Sequence, residues 1–296
     1  MTGRIVTREA FDDLAGIPAD SRWVRTESLQ LHVLDYAGPD GPASRERASP
    51  EAGRAPVVLL PGITMPAIGM DFVARELADS HRVLVVDARG RGMSDSGPSY
   101  TLEDYAEDTE AMLDALCADG PPPVLVGHSL GARIAAAVAV RAKAALGGTV
   151  LVDPPLSGPG RGPYPTSADA FLGQLAEARN GTTAEQVAAS WPRWPRREQE
   201  LRARWLASCD PEAVAATHRG FEAEDFFRWW PSVPAPAVFL YGAESPVVTS
   251  EGAAEAAARN PEASFAAVPG AAHMVFWDNP SEAVGALRGA LRGMTP

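Results

Sequence analysis

Ser129 stands in Gly127-His128-Ser129-Leu130-Gly131, just after the apolar residues 124–126 and just before a run of small residues at 132–139. A serine on such a sharp strand-to-helix turn is pushed up over the edge of a sheet. The helix that follows brings its positive N-terminal end to the reacting centre. Flanking glycines suit a strained turn with closely packed backbones. This makes Ser129 a candidate nucleophile for acyl transfer; the competing reading is a phosphate-binding or purely structural turn.

A serine hydroxyl is a weak nucleophile and needs a base. The histidines are His32, His81, His128, His218 and His273. His32 falls in an early strand, His81 precedes a strand expected at the far edge, and His128 is inside the turn and points away from the serine. His273 follows the last expected strand in Pro269-GAAHMVFWDNP, on a loop before the closing helix. That is where the base belongs in the chain order Ser, acid, His. His218 lies in a helix of the 154–236 segment and is a candidate substrate contact.

The acid is harder to find. In many folds of this kind it follows the strand before the histidine strand, in a G-x-x-D-P pattern. Here that stretch is Gly242-Ala243-Glu244-Ser245-Pro246, with serine at the aspartate position. Serine cannot balance an imidazolium. Asp153, in Val150-LVDPP, ends the preceding strand, and such carboxyl ends face ligands in open parallel sheets. Asp153 is therefore the expected acid, with Glu244 the alternative.

A tetrahedral oxyanion needs two N–H donors. Leu130, just after the nucleophile, should supply one. Ile63, in the turn Pro61-Gly62-Ile63-Thr64 after a strand, should supply the other. The Arg-rich turn Asp87-ARGRGMSD could suggest phosphate, but reads better as bracing for the sheet.

The elements needed to position these groups are visible. Strands are expected near 23–26 and 29–36, then in the runs beginning at Pro56, Arg82, Pro123, Thr149 and Ala237, and at 264–268. The five runs in the middle are apolar on both faces, as in a buried parallel sheet. Helical patterns alternate with them, including a capping box at Thr101-LED and a closing helix after Pro280. The fold class is α/β with a mostly parallel sheet flanked by helices. Residues 38–56 read as an exposed loop. Residues 154–236 interrupt the alternation with capped helical patterns and five of the seven tryptophans. They are expected to form a helical lid inserted in a core made of 1–153 and 237–296, with most of the tryptophans joining the two. Among the basic residues of this segment, Arg161, Arg193, Arg197, Arg202, Arg204, His218 and Arg219 are candidate donors for an anionic substrate. His218 and Arg219 are singled out as substrate contacts.

Composition narrows the function. The 296 residues are 46% hydrophobic and 22% charged, an ordinary globular balance that excludes a collagen-like or disordered chain. Acidic residues number 38 against 26 basic ones, a net charge of −12. That argues against binding to nucleic acid or to an anionic membrane surface. Two cysteines, Cys117 and Cys209, make neither a disulfide framework nor a zinc site. No apolar run reaches membrane-span length, and the first residues lack a signal-peptide pattern, so a cytoplasmic protein is expected. No cofactor and no metal are expected. The partner is a small-molecule substrate, and the sequence leaves a homo-oligomer open.

Taken together, PGIT, DARGRGMSD, GHSLG and GAAH arrive in an order that resembles the α/β-hydrolase fold, from about Trp23 onward. A narrower resemblance, carried by Val152-DPPLSGPGRGPYPT, WPRWPRREQELRARW and ATHRGFEAEDFF, is to the N-formylmaleamate deformylases of aerobic nicotinate breakdown. In that family the acid follows the same strand as Asp153. The resemblance implies a Ser129–His273–Asp153 triad, an amide hydrolase acting on a small carboxylated N-formyl amide, and formate and maleamate as products. Two alternatives stay open: a carboxylesterase or C–C bond hydrolase with the same triad, and a ligand-binding protein on a hydrolase scaffold.

Overall fold

The computed structural model describes residues 5–38, 54–142 and 145–294. The loop expected at 38–56 lies mostly outside the described residues. Eight strands form one sheet in the order β1-β2-β4-β3-β5-β6-β7-β8. They are β1 (Asp20–Arg25), β2 (Gln30–Tyr36), β3 (Val57–Leu60), β4 (Val83–Val86), β5 (Val124–His128), β6 (Gly148–Val152), β7 (Ala237–Gly242) and β8 (Ser264–Val268). β1, β2 and β4 pair antiparallel, and every pairing from β4 to β8 is parallel.

Period-two alternation divides the central strands between two cores. Val58, Leu60, Leu84, Val86 and Leu125 face one side, whereas Val57, Leu59, Val83, Val85, Val124 and Val126 face the other. Helices cover both faces, because such strands bury apolar side chains on either side. In chain order they are α1 (Arg8–Ala15), α2 (Asp71–Ala78), α3 (Leu102–Leu116), α4 (Leu130–Arg141), α5 (Ala168–Arg179), α6 (Ala184–Ser190), α7 (Arg196–Trp205), α8 (Pro211–Ala223), α9 (Ser250–Arg259), α10 (Val275–Asp278) and α11 (Pro280–Arg292). α3 carries the capping box expected at Thr101, where Asp104 reaches back to the Thr101 N–H at 2.8 Å. α11, the closing helix expected after Pro280, buries Val284, Leu287 and Leu291.

His81 does not precede an edge strand. β4 lies inside the sheet, between β2 and β3. The strand order reverses where β3 meets β5, and crevices at such switch points bind ligands. The loop after β3 and the turn after β5 therefore stand side by side.

The 154–236 segment leaves the sheet after β6 and returns at β7, carrying α5 to α8 and, among its described residues, no strand. Tryptophans fasten it down. Trp194 stacks on Trp277 of α10 at 5.5 Å between ring centroids, and Trp230 meets Phe239 of β7 edge-on at 5.3 Å. Trp205 donates its indole N–H to Asp13 of α1 at 3.0 Å. No helix among the described residues is long and apolar enough to cross a membrane.

Candidate active site

Two close approaches explain the glycines around Ser129. A Cβ on Gly131 would overlap the Leu60 carbonyl of β3, and one on Gly127 would overlap the Gly131 carbonyl. The chain can turn this tightly only without side chains there. Ser129 itself takes φ 55° and ψ −115°, a region L-residues avoid.

His273 reaches the serine from the loop between β8 and α10. Its Nε2 lies 3.0 Å from Ser129 Oγ, and its Nδ1 lies 2.7 Å from Asp153 Oδ2. Asp153, at φ 49°, is fully buried at the end of β6. It accepts two further hydrogen bonds, from the Gly242 N–H at 3.0 Å and from Ser245 Oγ at 2.6 Å. Ser245 Oγ in turn accepts the N–H groups of Val247 and Val248. Such an aspartate can fix the tautomer of His273 and balance an imidazolium.

The structure brings Ser129, Asp153 and His273 into one hydrogen-bonded line. Glu244 is not part of it: its side chain is half exposed and paired with Arg193 at 2.9 Å. His128 does not face the serine as a base. Burial pushes it down to about 3, so it is neutral, and its Nε2–H donates to the His273 carbonyl at 2.8 Å. His32 is structural, bonded to Asp87 and Ser21.

The turn after β3 lies over Ser129; a Cβ on Gly62 would sit 3.4 Å from the Ser129 Cβ. Neither the Ile63 nor the Leu130 N–H donates to another backbone oxygen among the described residues. Two buried cations hold the carbonyls of this turn. Arg91 donates from Nε to the Ile63 carbonyl at 3.0 Å. Arg202 of α7 donates to the Thr64 carbonyl and to Thr64 Oγ1 at 3.1 Å. Burial lowers Arg202 to about 10, which still leaves it charged at neutral pH. In the Arg-rich turn, Arg89 braces the sheet by pairing with Asp108, as expected, whereas Arg91 serves the β3 turn.

The seven candidate donors named from this segment sort cleanly. Arg161, Arg193, Arg197, Arg204 and Arg219 each pair with a carboxylate, of Glu255, Glu244, Asp71, Asp13 and Glu212 respectively. The Arg219 side chain is 64% exposed, and its observed partner is Glu212 rather than a residue of the Ser129–His273–Asp153 line. Arg202 and His218 are buried, and among the described residues neither is bonded to a carboxylate. His218 donates to the Thr166 carbonyl at 2.8 Å and meets the Tyr164 ring edge-on.

Tyr164 is the group that sequence reasoning missed. Its hydroxyl lies 3.1 Å from His273 Nε2, and its ring packs on Phe171, Phe221 and His218. It comes from the loop after Asp153, in Gly162-Pro163-Tyr164-Pro165. The available signal was an aromatic hydroxyl among turn residues shortly after the acid strand. Both thiols are inert structural groups, because burial pushes Cys117 and Cys209 up to about 11. Among the described residues, no group of three or more His, Cys, Asp and Glu could hold a metal ion.

Residues 57–287 match the family described as "Alpha/beta hydrolase family". An N-formylmaleamate deformylase of Pseudomonas putida is 36% identical over 258 residues, which span 86% of this chain and 90% of that protein. A solved structure of an N-formylmaleamic acid deformylase, also from Pseudomonas putida, superposes with a TM-score of 0.80 at 32% identity, covering 90% of this chain and 100% of that one. A 2-(acetamidomethylene)succinate hydrolase of Mesorhizobium japonicum is 28% identical over 240 residues, 76% of this chain and 84% of that protein.

Proposed function

The chain belongs to the alpha/beta hydrolase family, and within it we propose a serine hydrolase that removes the formyl group from a small carboxylated N-formyl amide, N-formylmaleamate being the leading substrate. The observation that carries this reading is the line from Ser129 Oγ through His273 to Asp153, at 3.0 and 2.7 Å. His273 takes the Ser129 proton as the serine attacks the formyl carbon. The Ile63 and Leu130 N–H groups bind the oxyanion. Asp153 holds His273 and balances its charge. The C–N bond breaks, His273 gives its proton to the departing nitrogen, and maleamate leaves. Water then attacks the formyl ester on Ser129, with His273 again as base, and formate is released. No step needs a cofactor.

Two relatives support the substrate class, since both names describe small carboxylated molecules with an acyl–nitrogen bond. The buried, carboxylate-free Arg202 beside the β3 turn supports an anionic substrate in a chain of net charge −12. Residues 154–236 act as a lid on a core of 1–153 and 237–296, and His218, whose ring meets Tyr164 edge-on, is its candidate substrate contact. The test is release of formate from N-formylmaleamate, compared with hydrolysis of p-nitrophenyl acetate and p-nitrophenyl octanoate. Fast formate release with slow ester turnover is the expected result. Robust ester turnover with no formate would sink the deformylase reading.

A further inference from the structure

The Tyr164 hydroxyl takes no part in the acyl transfer just described, yet it stands 3.1 Å from His273 Nε2, against 3.0 Å for Ser129 Oγ. With its other nitrogen facing Asp153, His273 acting as the base offers a single lone pair at Nε2. Two hydroxyls therefore contend for one acceptor in the resting enzyme. Ser129 must hold that lone pair at the moment of attack. After attack the situation inverts: Nε2 carries a proton and must deliver it to the departing atom, which has to come within hydrogen-bond reach of Nε2. The Tyr164 oxygen already occupies that shell. Its ring is fixed by Phe171, Phe221 and His218, so the hydroxyl is pre-positioned. Burial pushes the phenol far above its ordinary range, opposed by the nearby Ser129 hydroxyl and aided by the charge of Asp153, so it stays a neutral donor.

We propose that Tyr164 is the leaving-group residue of this site: its hydroxyl donates a hydrogen bond to the carbonyl oxygen next to the departing nitrogen, and so selects acylated amides over esters. The inference rests on the deformylase reading above. In an N-formyl amide the departing fragment is itself an amide. As the formyl C–N bond breaks, its electron pair passes to nitrogen and is shared with the neighbouring carbonyl oxygen. His273 Nε2 protonates the nitrogen, the oxyanion collapses to the formyl ester on Ser129, and Tyr164 keeps its proton. The hydrogen bond strengthens only as charge develops on that oxygen, which is the condition for raising kcat rather than tightening the ground state. A simple ester has no such oxygen on its leaving side.

The experiment uses the full-length protein, the Tyr164→Phe variant and two formyl donors with different leaving groups. N-formylmaleamate needs help to depart; p-nitrophenyl formate does not. The variant should lose about ten- to a hundredfold in kcat on N-formylmaleamate. On p-nitrophenyl formate it should lose less than about twofold, and a fluorophosphonate should label Ser129 no slower than in the wild type, because Ser129 no longer contends with Tyr164 for His273. The substitution removes one oxygen and keeps the ring, and undiminished labelling checks that the site is intact. Equal loss on both donors, slower labelling, or no loss on the amide would overturn the inference while leaving the deformylase reading standing. A wild-type enzyme that is labelled at Ser129 and cleaves the ester but not the amide would sink that reading, and the inference with it.

Discussion

Ser245 donates its hydroxyl proton to Asp153 Oδ2 at 2.6 Å, the same oxygen that meets His273 Nδ1 at 2.7 Å. The serine at the position where an aspartate is common in such folds thus has a task of its own: it steers the carboxylate that sits on the neighbouring strand.

Ser245→Ala should lower kcat about tenfold, because Asp153 loses a hydrogen bond that fixes its orientation and two backbone N–H groups lose their acceptor. Ser245→Asp should be worse, on the order of a hundredfold, since it sets a second carboxylate against the first and disfavours their joint ionisation. Its activity should rise at a higher pH than that of the wild type. A pH–rate profile checks both variants. An aspartate at 245 that works as well as serine would mean that Asp153 is not the acid.

Ser129→Ala and His273→Ala should each reduce turnover to background without lowering the melting temperature. The double variant should be little worse than either single one, because such residues act as a unit. Steady-state rates and fluorophosphonate labelling read this out, and near-wild-type turnover by Ser129→Ala removes the mechanism.

Asp153→Asn should cost on the order of 10⁴-fold in kcat, through the wrong His273 tautomer and an unbalanced imidazolium. Glu244→Gln should cost less than about twofold, as Glu244 meets Arg193 at the surface. Side-by-side kcat values decide the assignment, and a reversed order would transfer the role to Glu244.

Glu198 of α7 is buried, with Oε2 unpartnered among the described residues, and burial raises its carboxyl from 4.5 to about 7 despite the Arg197 guanidinium on its other oxygen. The folded chain therefore keeps this proton over a range where the unfolded chain has lost it. The stability it lends is full below 4.5 and is lost as pH rises through about 7. Glu198→Gln should flatten the fall in melting temperature across that window and melt higher than the wild type above it. Thermal unfolding followed across the window tests this. A variant whose melting temperature keeps the wild-type pH dependence would show that Glu198 is ionised in the fold.

What could be read from sequence was what depends on local pattern. The turn at Gly127–Gly131, the alternating strands and the helix caps are set by neighbours a few residues apart. The empty aspartate position at Ser245 was also visible, and it pointed to Asp153. The partners of Asp153 were not, because Gly242 and Ser245 reach it from β7 and the loop beyond, across a strand pairing. The same holds for the cations on the β3 turn. Arg91 and Arg202 resemble any other arginine until the fold brings them to Ile63 and Thr64. The placement of Arg219 was hidden for a related reason: one residue beyond His218 on α8, its side chain is exposed and pairs with Glu212. Tyr164 sits in a Gly/Pro-rich loop with no periodicity to say which way it points.

Ser129 and Asp153 are also the only non-glycine residues with positive φ among the described residues, at 55° and 49°. Each such conformation costs about 1–3 kcal/mol that glycine would not incur. A library of this chain sorted for heat resistance alone would therefore enrich glycine at position 129, and its best-melting members would be chemically silent. At position 153 glycine would instead leave the buried Gly242 N–H and Ser245 hydroxyl without their acceptor, so the aspartate is held there by stability as well as by chemistry. Selection on turnover would restore the serine at the expense of melting temperature, so any effort to harden this protein has to hold Ser129 fixed and look for its gains elsewhere.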